Sequence, residues 1–427
     1  MGLGYLTLSI KSEQDKYLTG NPQFTFFKSV YKRHTNFAVD YQFVNFIGDS
    51  SNVFNKKVYI DVPKNGDLIH RMFLMINIKT LTGGDLSKIT PVVYNYIEYI
   101  DLFIGGQRID RHYGSWLQIW HELFEKDDVA LGKLVSSEPQ QSTDTKNTLY
   151  LPLRFWFNNN VGLSLPLIAL QYNDIKFEIK FKSKTDIQTY NSSYSDTNMS
   201  IEKIQMLCEY IHLDVEERRL FASNVHEYLI TQVQSSLSNP VNLHKSLTDD
   251  NFEKIVHKTD LRFNHPVKEL IWTFQDYSNR VQSELVSSIN GVYSNNFWRG
   301  FTYGQDQMIG SMLNLNGKDM SEEMSSKFYR GLQNYQYHSG VGLGSVNNTY
   351  GLGGIDAGNA IYSYSFSISP EDYQPSGSIN FSNIEQGQLK YRLHHDADVT
   401  SKSLNIYAVN YNIFRVMSGM ASLAFSN

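Results

Sequence analysis

His394-His395-Asp396-Ala397-Asp398 has the side chains of a metal site. A zinc ion wants three or four such groups converging on one point. Adjacent histidines on a strand point to opposite faces, so this run reads as a solvated loop. Gly340-Val-Gly-Leu-Gly344 lacks the full spacing of a nucleotide-binding turn and reads as a surface loop. His121-Glu122 opens like a zinc-protease helix, but Glu125 stands where the second histidine belongs. The paired acids Glu216-Glu217 and Glu322-Glu323 fall on polar faces, whereas a hydrolase needs two carboxyls at a set separation across a cleft. Cys208 is the only cysteine and lies in the apolar run Ile204–Ile211, so it reads as a small core residue. One cysteine makes no intrachain disulfide, and folding in a reducing compartment is the simpler expectation. None of these patterns builds a catalytic, cofactor-binding or metal site.

Four Asn-X-Ser/Thr triplets, at Asn191, Asn198, Asn347 and Asn380, are candidate glycan acceptors. Three fall in expected loops, although an Asn- and Ser-rich chain produces such triplets by chance. The formal net charge of −5 sets up no field to hold nucleic acid, so no sequence-specific nucleic-acid binding is expected. Lys28, Lys32, Arg33 and His34 form one basic cluster. It reads as a solvated helix face with local ion pairs, or as a contact for an acidic neighbour or internal polyanion. Aromatic residues make up 14% of the chain, which suits half-buried pleated surfaces better than a sugar-binding platform. No apolar stretch approaches 18 residues, so no membrane-spanning helix is expected. The start lacks the pattern of a signal peptide, and Leu6 departs from the myristoylation motif that Gly2 invites.

The elements that would position any site come in duplicate. Leu102-Phe-Ile-Gly-Gly-Gln-Arg-Ile-Asp110, then Trp116–Trp120, is answered about 210 residues on. There Leu313-Asn-Leu-Asn-Gly-Lys-Asp-Met320 is followed by Phe328–Leu332. Leu151–Phe157 likewise matches Ile361–Ser367. A repeat of this length is a copied domain, far beyond a solenoid unit. Strand signals recur at Val58–Val62, Met72–Ile78, Val92–Ile104, Leu149–Phe157, Ile168–Phe181 and Ile204–Leu213, and again in the second half. Trp116–Phe124 has helical spacing, with Trp116, Trp120, Leu123 and Phe124 on one side. No regular strand–helix alternation appears, which disfavours a parallel sheet. The expected class is all-β: a double jelly roll of two eight-stranded antiparallel β-sandwiches in tandem, with short helices in the connections. The expected divisions are an N-terminal arm (1–25), a first jelly roll (26–213), a linker helix (214–224) capped by Asp214, and a second jelly roll (225–427).

Several stretches go beyond class. Gln14–Phe37, Ile104-Gly-Gly-Gln-Arg-Ile-Asp-Arg-His-Tyr-Gly114, Leu151–Tyr172, Asp214–Gln234, Phe263–Leu270, Gln374–Ser382 and Asn405–Met420 closely resemble the major capsid proteins of nucleocytoplasmic large DNA viruses. The resemblance runs from near the first residue to near the last. It implies a non-enzymatic structural protein that assembles as pseudo-hexagonal homotrimeric capsomers in an icosahedral virion shell. Implied partners are neighbouring capsomers, minor capsid proteins and the inner membrane side of the virion, with synthesis in the host cytoplasm. No cofactor is implied. A minor capsid paralogue is an alternative within this class. A two-domain β-sandwich that binds or hydrolyses glycans is the alternative from another class. The long segments Asp276–Arg299 and Gly340–Gly358 are candidate exposed or inter-subunit surfaces.

Overall fold

The computed structural model describes residues 3–48, 51–80, 93–126, 128–135, 145–183, 199–237, 241–242, 255–276, 308–340, 361–393 and 401–426. Residues 1–37 form one unit and 38–427 another. In the first unit, helices α1 (Leu3–Ser9) and α2 (Asp15–Thr19) carry no buried residue. Gly20-Asn21-Pro22 stops α2, and Asn21 takes a left-handed φ of 49°. The basic residues Lys28, Lys32, Arg33 and His34 lie exposed in irregular chain, not on a helix face. Aromatic Phe24, Phe26 and Phe27 are weak helix formers, which fits that outcome.

The second unit contains two sandwiches of one plan. The first uses β1 (Phe37–Asn45), β2 (Lys57–Asp61), β3 (Leu68–Thr80), β4 (Ile97–Ile104), β5 (Gln107–Tyr113), β6 (Thr145–Pro152), β7 (Ile175–Phe181) and β8 (Met199–Leu213). The second uses β9 (His226–Leu237), β10 (His257–Asp260), β11 (Pro266–Asp276), β12 (Met308–Leu315), β13 (Lys318–Asp319), β14 (Ile361–Ser365), β15 (Gly387–Leu393) and β16 (Ser401–Met417). The first pairs as β1-β8-β3-β6 and β2-β7-β4-β5, and the second as β9-β16-β11-β14 and β10-β15-β12-β13. Each strand of the first half has its counterpart eight strands later, in the same place in its sheet. This is a double jelly roll. Short edge pieces at Leu165–Pro166, Val241–Asn242, Met324–Ser325, Ile379–Asn380 and Met420–Leu423 are added to this frame.

Alternation explains the burial. In β7, Ile175, Phe177, Ile179 and Phe181 face the core, and Lys176, Glu178 and Lys180 face away. β15 repeats the pattern with Leu389, Tyr391 and Leu393 inward. The two hairpins at the tight ends share a single turn chemistry. β4 and β5 are joined by Gly105 and Gly106 at φ 59° and 82°, and β12 and β13 by Asn316 and Gly317 at 51° and 78°. Two successive left-handed residues define the type I′ turn, whose twist suits an antiparallel pair, and Gly-Gly and Asn-Gly are its preferred sequences.

Several elements differ from the periodicity. Val92–Ile104 divides into a 3₁₀ turn at Val93–Tyr96 and then β4. Leu149–Phe157 leaves the sheet after Pro152, and Trp156–Asn159 becomes the one-turn helix α5, where the Asn158 side chain accepts from Phe155 N at 3.2 Å. α3 (Gly114–Phe124) and α4 (Asp128–Val135) precede it in the chain. The strand expected from Ile168 begins only at Ile175, because Leu167–Ala169 coils into a 3₁₀ turn. α6 (Val215–Ser223) links the halves, with the Asp214 carboxylate accepting from Val215 N at 2.7 Å. The final helix is α7 (Asn334–Tyr337), entered through a π-turn at Phe328–Gln333. The segments Asp276–Arg299 and Gly340–Gly358 lie outside the described residues beyond Asp276 and Gly340.

The hairpins give a direct test. A Cβ at Gly106 or Gly317 meets nothing within 4 Å, so only the left-handed backbone penalises it. Gly106→Ala and Gly317→Ala are each expected to cost about 1–2 kcal/mol in urea unfolding. Gly105→Ala is expected to cost more, because its Cβ would press on the Asn173 side-chain amide, which donates to Ala421 O at 2.9 Å.

Candidate functional site

The feature of the second unit that bears on function is the seam between the sandwiches. α3 belongs to the first sandwich. Its Trp116, Ile119 and Leu123 are buried against Ile271 of β11, Ile361 of β14, and Tyr407 and Val409 of β16. Trp120 and Phe124 sit at the margin of this face, which Ile119 completes. Ser115 Oγ and Tyr407 OH are 2.6 Å apart, and the Trp116 and Tyr407 rings are 5.4 Å apart. Fully burying three such side chains stabilises the seam by roughly 2 kcal/mol each. Polar contacts fix the register. The Asp110 carboxylate accepts from Val233 N at 3.1 Å, the Gln232 amide donates to Ile109 O, and Gly340 N donates to Leu123 O at 2.7 Å. At the far end of the seam, Tyr172 N donates to Gly419 O at 3.0 Å.

A polar cleft of about 520 Å³ opens along this seam. The sequence reading missed its key residues. Between Val267 and Glu269 the β11 ladder slips by one residue against β16, so Lys268 is the extra residue of a β-bulge. Lys268 and Glu269, neighbours in sequence, consequently both line the cleft. The available signal was two adjacent charges inside the apolar strand Pro266–Phe274. Lys268 Nζ donates to Pro370 O. The Glu269 carboxylate accepts no hydrogen bond within the described residues, and His338 Nε2 lies 3.7 Å from it. His338 Nδ1 lies 3.7 Å from Glu371, and the ring meets Phe124 edge-on at 5.0 Å. Burial pushes the Glu269 carboxyl above the usual carboxylate range despite His338 and Lys268 nearby. Burial pulls the Lys268 ammonium below its usual range, against the pull of Glu269. Burial also raises Glu371, but His338 and the Ser339 N–H outweigh it and hold that carboxyl low.

The residues singled out in the sequence do not converge here. Asn191, Asn198 and Asn347 lie outside the described residues, as does His394–Asp398. Asn380 is exposed at the end of a two-residue edge strand, and its side chain accepts from Ser382 N at 3.0 Å. Cys208 is buried in the first core, and burial pushes its thiol up to about 12. His121 Nδ1 pairs with Tyr94 OH at 3.1 Å inside the fold. Among the described residues no group of three or more His, Cys, Asp or Glu is arranged to hold a metal ion. No helix there is long and apolar enough to cross a membrane. The chemistry of this seam is packing and register.

Known proteins match this arrangement along its whole length. A family model described as "Major capsid protein N-terminus" matches residues 25–214, and one described as "Large eukaryotic DNA virus major capsid protein" matches residues 217–422. The chain belongs to the major capsid protein family of large eukaryotic DNA viruses. The major capsid protein of Pyramimonas orientalis virus is 36% identical over 100% of both chains. That of Paramecium bursaria Chlorella virus 1 is 32% identical, again over 100% of both. A chain from the PBCV-1 virus capsid quasi-atomic model superposes with a TM-score of 0.78 at 28% identity, covering 94% of this chain and 100% of that one. This capsid protein is a structural, non-enzymatic component of the icosahedral shell of a large double-stranded DNA virus. That assignment replaces the glycan-binding or glycan-hydrolysing alternative.

Glu269 titration tests the seam. A carboxyl whose folded pKa is raised contributes stability below its unfolded pKa, and that contribution is lost as pH rises through the folded value. The capsid protein is therefore expected to lose stability through Glu269 from about pH 4.3 upward. Glu269→Gln lacks this slope. Its melting temperature is expected to gain on the wild type as pH is raised from about 5 to about 8. Parallel melting curves for the two proteins would contradict the assignment.

Proposed function

We propose that three copies of this capsid protein close into a homotrimeric, pseudo-hexagonal capsomer. The observation that carries this reading is the pair of sandwiches with one strand order inside one chain. Three such chains present six like units around a three-fold axis, so the trimer has a hexagonal outline that tiles a flat facet. The capsid likeness reported above supports it. Capsomers then meet laterally, minor capsid proteins and the inner membrane side of the virion face the shell from within, and the chain is made in the host cytoplasm.

The same reading gives the divisions distinct tasks. Residues 1–25 serve as the arm, 26–213 and 225–427 as the tiles, and 214–224 as the tether. The two helices of the arm bury no residue, and Tyr17, Leu18 and Phe24 are 93%, 87% and 71% exposed, so a neighbouring surface is the natural place for them. Lys28, Lys32 and Arg33 suit an acidic patch there. Asn380 is the described sequon whose exposure leaves it open to a glycan.

Light scattering of the purified chain is expected to give the mass of a trimer, and electron microscopy of concentrated protein hexagonal sheets. A stable monomer would sink the reading. Deleting residues 1–25 is expected to leave the trimer mass unchanged while reducing sheet or shell assembly. Loss of the trimer on that deletion would contradict the role given to the arm.

A further inference from the structure

We infer that the helical segment Phe328–Tyr337 of one copy docks on the outer face of β1-β8-β3-β6 in a second copy. The inference rests on the trimer reading and names the surfaces that close it. The chain already contains this contact once, where α3 of the first sandwich covers the outer face of β9-β16-β11-β14 in the second. Each sandwich has such a helix and such a face. Within one chain only one of the two pairs is satisfied.

The unsatisfied helix is the counterpart of α3. With Trp116 matched to Phe328, Ile119, Trp120 and Leu123 match Gly331, Leu332 and Tyr335. Ile119 and Leu123 are fully buried, whereas Leu332 and Tyr335 are 45% and 86% exposed. The unsatisfied face follows from the ladders. Leu270 opposes Ala408 as Met72 opposes Cys208, and Trp272 opposes Tyr362 as Leu74 opposes Leu151. Ile271, Ile361 and Tyr407 therefore correspond to Phe73, Tyr150 and Leu207, which are partly exposed apolar residues. Val39, Tyr41 and Phe43 of β1 extend the face at 46%, 53% and 54% exposure.

The two pairs differ in polarity. Glu209 stands where Val409 does, and Tyr335 where Leu123 does. Where the first contact has two aliphatic residues, the second has a tyrosine on the helix and, on the face, a buried Glu209 carboxylate that accepts from Tyr41 OH. Gly331 in place of Ile119 lets the helix backbone approach the broader aromatic surface. Each copy offers a helix on one side and a face on the other, so the contact is head-to-tail and closes into a ring.

Cysteine cross-linking tests the contact in the full-length chain. Cys208 is buried and its thiol is held protonated, so it stays silent toward maleimides. Co-expressed Tyr335→Cys and Phe73→Cys chains are expected to give a covalent dimer with a short bis-maleimide, and neither variant alone is. Leu332→Ser with Tyr335→Ser is expected to convert the trimer into a monomer with an unchanged circular dichroism spectrum. A trimer that persists in the double-serine variant, with no cross-link between the co-expressed cysteine variants, overturns this docking and leaves the trimer reading standing. A dimer cross-link that forms equally when either variant is expressed alone also overturns it. A monomeric wild type overturns the trimer reading itself.

Discussion

A sheet in a jelly roll has two faces, and the sandwich core uses only one. The outer face of β9-β16-β11-β14 would leave Ile271, Ile361, Tyr407 and Val409 to water if nothing covered it. α3 covers it, and the chain between β5 and β6 of the first sandwich becomes the wall of the second. The two halves therefore form one unit in which neither has a complete surface alone. The relative placement of the sandwiches is set by a packed helix rather than by the tether α6, which buries no residue. A tether holds halves near each other, whereas a buried aromatic contact holds them at one angle.

Much of this was legible in the residues. The strict alternation in Ile175–Phe181 fixed both the strand and its faces, because a one-residue slip would turn Lys176, Glu178 and Lys180 into the core. The duplicated turns were legible as Gly-Gly and Asn-Gly between apolar runs, and both adopt the left-handed geometry that those residues permit. α3 was visible as an amphipathic stretch, but not its partner, since periodicity shows that a face is apolar and not what covers it. The extent of the strands was less visible. Leu149–Phe157 reads as one run, yet Phe155, Trp156 and Phe157 leave the sheet to fill the first core from its end. Aromatic runs suit a strand and a core plug equally well, and tertiary packing decides between them.

The charged cluster at Lys268, Glu269, His338 and Glu371 was the least legible part. Adjacent charges in a strand normally mean that one of them faces out. Here the bulge turns both toward the seam, and no sequence rule places a bulge. Burying ionisable groups costs free energy that hydrophobic residues of similar size would not. A polar cluster nonetheless has directional demands that an apolar patch lacks. Lys268 reaches Pro370 O, and Ser339 N reaches the Glu371 carboxylate at 2.7 Å, so this part of the seam has one register. Ile119 and Leu123 tolerate small slides over a flat sheet; these contacts do not.

Duplication also changes what assembly requires. Six separate jelly rolls would have to form six equivalent contacts, each strong enough to survive alone. In the proposed trimer, tandem copies make half of the contacts intramolecular, where the partner is always present at high effective concentration. Those contacts can become as apolar as a protein core, as Trp116 on Tyr407 shows. In that trimer the other half form between separate chains. An exposed helix there carrying Leu and Trp would invite aggregation. Tyr335 in place of Leu123 reduces that hazard while keeping a surface that packs. On the proposed trimer, the two halves of this chain share a fold because they fill equivalent places, and differ in sequence because only one of the two contacts is made before the chains meet.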